Sequence, residues 1–482
     1  MQEFLTFNQL KLFSQEKIVH LQTLRFRATC RYLLPNVPFY KKLFAEYNVD
    51  PNILRNVEDW QKNGLPLIKK AAYMKNPKDF VVQPGKDVFK EYVSLLSSQH
   101  EFDELIKLLF SDKEKELKQY YSPKMLVFSG GTESGNPTPV MLTAKQKFDT
   151  LVGVLEVIGK LLFTHTEKKT VGMNLFPYAP HLGWHATHMA LDINTDLNLG
   201  TAAGGAMPTE RLVMLADKTK PNVICGMSDY LRNRFLPLAV QKKIKLSEKV
   251  VFVNGAQKMH DAERVKIKQL AKKLGVKQCT VLDMYGASEL KEALMPECVE
   301  GSGFHHVAPL STIVRTVEAK HTTKDLIDDW QFSYSGYAVS WNIDGAGTLL
   351  QGYFLGDKYD KIETNKCDYC RLNVQRFFGV NRIREVETQL NLTGIVEEKV
   401  KGTRVNLVAY RGAALSLDEI KEAQVVLKKN KVEVRIVSDK PKKAIAKLEK
   451  KFASAEIKPI IKCVSMDDLK NDKLKFKPIV IG

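Results

Sequence analysis

At 482 residues with 44% hydrophobic side chains, the chain has the length for two or three domains and a large buried core. It holds no apolar run of membrane-spanning length, and Met1-Gln-Glu-Phe-Leu5 lacks a basic region followed by an apolar segment, so neither a membrane span nor a signal peptide is expected and the protein is expected to be cytoplasmic. The net charge of +18 invites nucleic-acid binding, but Lys428, Lys429, Lys431, Lys440, Lys442, Lys443, Lys447, Lys450 and Lys451 recur at helix-like spacing with few aromatics among them, which favours a solvated charged face.

In chain order, the first chemically informative segment is Phe128-Ser-Gly-Gly-Thr-Glu-Ser-Gly-Asn-Pro-Thr-Pro139, set between the apolar runs Met125 to Phe128 and Val140 to Leu142. Its hydroxyls and unencumbered backbone N–H groups are what an oligophosphate needs. No lysine follows the glycines in the manner of GxxxxGK[ST], which excludes a standard P-loop. Val171 to Phe176, Val223 to Cys225, Lys249 to Val253 and Cys279 to Met284 read as buried strands, separated by helical patterns such as Glu210 to Asp217 and Asp261 to Leu274. That alternation predicts an α/β fold with a mainly parallel sheet and helices on its faces. After Gly394 the pattern changes: Arg404 to Tyr410 reads as a strand, Ser416 to Lys429 as a helix, Val432 to Val437 as a strand and Pro441 to Phe452 as a helix, a small α+β unit.

Four segments follow the Ser/Thr/Gly loop in a fixed order: Tyr285-Gly-Ala-Ser-Glu289, Gly352-Tyr-Phe-Leu-Gly-Asp357, Gly394-Ile-Val-Glu-Glu-Lys-Val-Lys-Gly402 and Lys473-Leu-Lys-Phe-Lys477. In that order and spacing the chain resembles the adenylate-forming superfamily of acyl-CoA ligases, and within it phenylacetate-CoA ligases and their relatives. Leu24 to Tyr40 is similar to that family's N-terminal helix with its N-V-P-F-Y ending, followed by Val49-Asp-Pro51 and Leu65-Pro-Leu-Ile-Lys69. Glu297-Cys298, with His305 beyond it, reproduces a family pattern ECxxxxGxH. The resemblance covers the chain from about residue 15 onward, with residues 93–124 as a charged insertion. It implies a large adenylation domain (1–394), a small mobile C-terminal domain (395–482) and a hinge near 394 to 398.

The activity implied is ATP-dependent conversion of a carboxylic acid to an acyl-adenylate, followed by transfer to a thiol such as CoA. By resemblance, Ser129, Gly131, Thr132, Glu133, Ser134 and Gly135 form the phosphate loop, with Asn136 where the family carries lysine, and Gly255 and Ala256 line the nucleotide. Tyr285, with Gly286 and Ser288 in its motif, stacks on adenine; Glu289 holds Mg²⁺; Asp357 takes the ribose hydroxyls. Glu397 marks the hinge, where Ile395 replaces the family's arginine, and Lys475, with Lys473 in reserve, is the catalytic lysine. The substitutions at 136 and 395 each remove a cation.

The seven cysteines do not suggest disulfides in a chain without a secretory signal, and Cys367-Asp-Tyr-Cys370 reads as a metal knuckle or redox pair. With Cys298 and His305 it completes a Cys₃His donor set for structural zinc, at positions that resemble the zinc site of some phenylacetate-CoA ligase relatives; His306 is a bystander. Phe176, Tyr178, Trp184 and His185 would form an aromatic, partly polar pocket for an aryl or medium acyl acid, although core packing would account for Phe176 and Trp184 as well. The acceptor (CoA, a carrier-protein thiol or an amine) and assembly as a homodimer stay open. Two other readings stay open at this point: a degenerate relative that binds ligand without turnover, acting as a binding or assembly subunit, and a nucleic-acid-binding protein driven by its basic C-terminal unit.

Overall fold

The structure, a computed structural model, describes residues 4–83, 112, 121–128, 138–166, 169–178, 180–256, 259–320, 325–383, 396–400, 403–465, 467–469 and 478–481. Its central feature is a six-stranded sheet. In chain order the strands are β1 (Val171–Asn174), β2 (Leu197–Asn198), β3 (Val223–Cys225), β4 (Lys249–Asn254), β5 (Gln278–Tyr285) and β6 (Met295–Pro296), and in space they run β2-β1-β3-β4-β5-β6. All neighbours are parallel except β5 and β6. Along β4, Val250 and Phe252 enter one hydrophobic cluster while Val251 and Val253 enter another. Burial on both faces is why these strands read as continuous apolar runs. The helices Thr209–Thr219 and Asp261–Lys273 lie where the sequence predicts them.

A seven-stranded sheet carries β7 (Tyr353–Tyr359), the strand of Asp357. The N-V-P-F-Y tyrosine, Tyr40, is buried against this region: its hydroxyl donates to Leu349 O and accepts from Gln351 N at 2.7 Å. The strands Pro123–Phe128 and Pro139–Thr143 pair as an antiparallel hairpin with Phe128 opposite Pro139, so the Ser/Thr/Gly segment joins its two arms. Residues 129–137 lie outside the described residues, as does the expected 93–124 insertion apart from Asp112 and residues 121 to 124.

The C-terminal unit packs around its own hydrophobic cluster, from Val396 to Ile481. Two expectations fail here. Arg404 to Tyr410 is not one strand: pairing ends at Asn406, whose side chain accepts from Val408 N and Ala409 N at 3.0 and 3.1 Å and starts the helix Leu407–Leu415. An asparagine that satisfies the free N–H groups of a first turn outweighs the β-branched run before it. Ser416 to Lys429 is not a helix either, because Glu422–Lys428 forms a strand paired with Lys431–Val437. Ala423, Val425 and Leu427 alternate into the core, and Lys429-Asn430, both with positive φ (44° and 62°), closes the hairpin as a two-residue turn. The strand at 432–437 and the helix Pro441–Lys451 agree with expectation. Lys442, Lys443, Lys447, Lys450 and Lys451 are exposed on that helix, which buries Ala444 and Leu448. Among the described residues no helix is long and apolar enough to cross a membrane.

Candidate active site and metal centre

The carboxyl ends of β1, β3, β4 and β5 point to one edge of the parallel sheet, where ligands bind in folds of this layout. Asn174 and Asn254 are buried there. Asn254 accepts from Ser228 N at 2.7 Å and donates to Asp283 at 2.6 Å, tying β4 to β5. Gly255 follows, and a Cβ on it would press within 3.2 Å of the Phe176 ring, so the expected nucleotide residue and the expected pocket residue are neighbours. Ala256 turns the chain with φ of 59°.

Tyr285 ends β5, and its hydroxyl donates to Asp357 Oδ2 at 2.9 Å. Its ring meets Tyr359 edge-on at 5.8 Å. Burial, with Asp357 beside it, pushes the phenol well above its ordinary pKa, so it stays a hydrogen-bond donor. The turn Ser288–Leu290 places Ser288 Oγ 3.4 Å from the carbonyl of Phe128, the last described residue before the Ser/Thr/Gly segment. His181 Nδ1 contacts the same carbonyl at 3.0 Å, and Phe128 N donates to Pro180 O. Those bonds fasten the 180s segment and the Tyr285 motif to the mouth of the hairpin. Glu289 is buried, with Lys70 Nζ 3.8 Å from its carboxylate. Lys70 is itself buried and was invisible to sequence reasoning, which stopped one residue short at Lys69.

Of the four expected pocket residues, Phe176 is buried and Tyr178 is exposed. Tyr178 meets Trp184 edge-on at 4.8 Å, and Trp184 meets His185 at 5.2 Å. Trp184 also stacks on His188 at 5.0 Å, a fourth ring of the cluster that sequence reasoning missed although it recurs one helical turn along. Burial, and the positive charge of Lys147, lower the His185 pKa from its ordinary value. Ser129, Gly131, Thr132, Glu133, Ser134, Gly135, Asn136, Ile395, Lys473 and Lys475 lie outside the described residues; Glu397 lies on the strand Glu397–Val400, paired with Asn406.

The structure brings Cys298, His305, Cys367 and Cys370 together, with one ligand atom from each and all four within 4.8 Å of one another. Cys298 Sγ and Cys367 Sγ are 3.7 Å apart, close to the roughly 3.8 Å that two thiolates span on a tetrahedral zinc with 2.3 Å bonds and far beyond a disulfide. His305 Nδ1 contacts the carbonyls of Gly303 and Pro296 at 3.1 and 3.2 Å, which protonates Nδ1 and leaves Nε2 for a metal. That Nε2 is buried and has no hydrogen-bond partner among the described residues. Hydrogen bonding with Cys298 lowers the pKa of the Cys367 thiol, which favours the thiolate form that ligates. The donor set therefore fits a structural metal. The turn Cys367 to Leu372 is closed by Cys367 N to Leu372 O and Arg371 N to Cys367 O, with Arg371 at φ 63°. Glu297 anchors the other arm: Arg264 Nη2 lies 3.0 and 2.9 Å from its two oxygens, which also accept from Gly301 N and Asp283 N. His306 is turned away, bonded to Thr312 O at 2.7 Å and pushed down to a pKa of about 4 by burial.

The fold is similar to that of CoA ligases of known structure. Over 97% and 98% of its length the chain superposes on 92% and 91% of 2-hydroxyisobutyryl-CoA ligase in its open and thioesterification states, with TM-scores of 0.56 and 0.67 at 12% identity. In sequence it is similar to phenylacetate-coenzyme A ligase of Thermus thermophilus, 26% identical over 303 residues, and the match spans 62% of this chain and 57% of that ligase. No family model matches. The resemblance to the adenylate-forming ligases drawn from the motifs, and the α/β fold class expected with it, both stand.

Proposed function

We propose that this chain is an acid–thiol ligase, which activates an aryl or medium acyl carboxylic acid with ATP and passes the acyl group to a thiol, with coenzyme A as acceptor. The observation that carries the reading is the Tyr285–Asp357 hydrogen bond at the carboxyl end of β5, with Ser288, the neighbour of Glu289, at the carbonyl of Phe128.

A carboxylate is a poor electrophile. In the proposed reaction a carboxylate oxygen attacks the α-phosphorus of ATP, the bond to the bridging oxygen breaks, and pyrophosphate leaves. A thiolate sulfur then attacks the acyl carbon and AMP leaves, the thiol proton passing to solvent. Asp357 accepts from the ribose hydroxyls, a two-acceptor role suited to a carboxylate, while Tyr285 orients Asp357 and offers its ring to adenine. Glu289 would hold Mg²⁺, which neutralises charge on the transferring phosphate. Lys70 offsets the Glu289 charge. Trp184, His185 and His188 present the acid with an aromatic wall in which burial biases the His185 imidazole toward its neutral form.

Cys298, His305, Cys367 and Cys370 would hold a closed zinc site that clamps the segment after Glu289 to the segment after Asp357. The domain boundary belongs near residues 394 to 398, with Glu397 at the hinge and Lys475 or Lys473 delivered to the phosphates by the C-terminal unit. Rotation of that unit lets one site serve both half-reactions.

The test is to incubate the protein with ATP, Mg²⁺ and a panel of aryl, fatty and amino acids, reading acyl-adenylate by mass spectrometry and pyrophosphate by a coupled assay. An adenylate from an aryl or medium acyl acid, converted to thioester on addition of CoA, is expected; silence across the panel overturns the proposal.

A further inference from the structure

Lys291 has no part in the proposed reaction, yet its setting is unusual. It follows the Ser288–Leu290 turn, two positions after Glu289, with φ of 55° and ψ of −114°. That is a conformation in which a Cβ is crowded and glycine is the usual occupant. The side chain is 1% exposed. Its ammonium pairs with Asp344 Oδ2 at 2.5 Å and donates to Ala346 O at 3.1 Å and Thr348 O at 2.9 Å. All three donors of the lysine thus go to one short loop.

The same loop is fastened to the strand Pro139–Thr143, which leaves the Ser/Thr/Gly segment. Thr348 N donates to Met141 O at 2.9 Å, and Met141 N donates to Thr348 Oγ1 at 3.0 Å. Gln146 Nε2 donates to Asp344 and to Ala346 O, while its Oε1 accepts from Thr143 N at 2.8 Å. Gly347, at φ 64°, lies so close to the Met141 carbonyl that a Cβ would overlap it. A continuous chain of buried polar contacts therefore runs from the residue after the Glu289 turn to the arm of the phosphate-loop hairpin.

We propose that Lys291 is a positioning residue that sets the place of the Glu289 carboxylate relative to the phosphate-loop hairpin. The proposal rests on the reading of Glu289 as a holder of the divalent cation. A buried ion pair is a poor device for stability alone, since apolar residues of equal volume serve as well. Left-handed backbone at a non-glycine residue persists only where the surroundings over-determine it, and such strain gathers at functional sites. Here both lie two residues from Glu289.

Mn²⁺ in the presence of ATP, read by electron paramagnetic resonance, serves as the probe. Lys291→Met alone strands the buried Asp344 carboxylate, so the working variant is Lys291→Met with Asp344→Asn. Thr348→Val weakens the same link from the hairpin side, removing the Met141 N to Thr348 Oγ1 bond without touching a charge. Both variants are expected to keep AMP affinity within about twofold and to lose Mn²⁺ affinity in the nucleotide complex by about tenfold, the scale of a small misplacement of one donor. Folded variants, either alone if the other fails to fold, whose Mn²⁺ affinity matches the wild type overturn the proposal. If the wild type binds Mn²⁺ and ATP but forms no adenylate, while the variants still lose Mn²⁺, the proposed reaction fails and the role of Lys291 stands; a wild type that binds no Mn²⁺ with ATP overturns both.

Discussion

The Tyr285 hydroxyl donates to Asp357 Oδ2 at 2.9 Å, bridging the end of the parallel sheet and a strand of the seven-stranded sheet. One Asp357 oxygen is thereby held in place, which fixes the orientation of the carboxylate. Asp357→Ala is expected to weaken ATP and AMP alike, by about ten- to a hundredfold, the range of hydrogen bonds to a charged group. Tyr285→Phe keeps the ring and releases only Asp357, so its loss should be the smaller. Calorimetric titration of both nucleotides decides the matter, and an Asp357→Ala protein with undiminished AMP affinity removes the ribose assignment.

Glu289 and Lys70 form a second pair, both buried. Glu289→Gln should slow adenylation by about a hundredfold, the scale of losing one preorganised electrostatic contact, while AMP binding changes little. Lys70→Met leaves a buried carboxylate without this cation, and a cost of about 3–5 kcal/mol in folding stability is expected. Combining Lys70→Met with Glu289→Gln should recover part of that loss. Denaturant titration of the two single variants and the double variant tests the coupling; additive losses show that the two side chains do not share an interaction.

The Cys₃His cluster predicts about one zinc ion per purified chain, because a buried orphan nitrogen beside three sulfurs is costly unless a metal fills it. Cys367→Ser should lower zinc content and melting temperature together, since binding energy at such sites is folding energy. Elemental analysis with a thermal scan measures both. Protein that is free of zinc and melts at the same temperature with and without a chelator refutes the site.

The legible parts of the fold were those where one physical signal dominated. Strands β1, β3, β4 and β5 are apolar runs because both faces are buried, and no competing pattern exists at those positions. Cys298, His305, Cys367 and Cys370 could be grouped in advance because few residue types supply soft donors, and the structure brings them together. Lys70, Arg264 and Lys291 were not legible, since a cation in a sequence reads as solvated until tertiary structure encloses it with a carboxylate. The C-terminal errors have a local cause. Asn406 acts as a helix cap and Lys429-Asn430 as a hairpin turn, and neither lysine nor an asparagine in a β-branched run announces that role.

Under the proposed mechanism the C-terminal unit swings between the two half-reactions. Glu397 opens a strand paired with Thr403–Asn406 and directly follows Val396, the first residue of the hydrophobic cluster of that unit. A proline at 397 fixes φ near −65° and removes a backbone donor, which restricts rotation about that point. Glu397→Pro should therefore spare adenylate formation and block transfer of the acyl group to CoA. Lys475→Ala should do the reverse, lowering adenylation by roughly a hundredfold or more while thioester formation from supplied acyl-adenylate survives. Single-turnover assays of each half-reaction separate the two effects. If Lys473→Ala abolishes adenylation and Lys475→Ala does not, the catalytic lysine moves by two residues and the mechanism is kept; if neither variant changes the rate, the tail does not supply the catalytic cation.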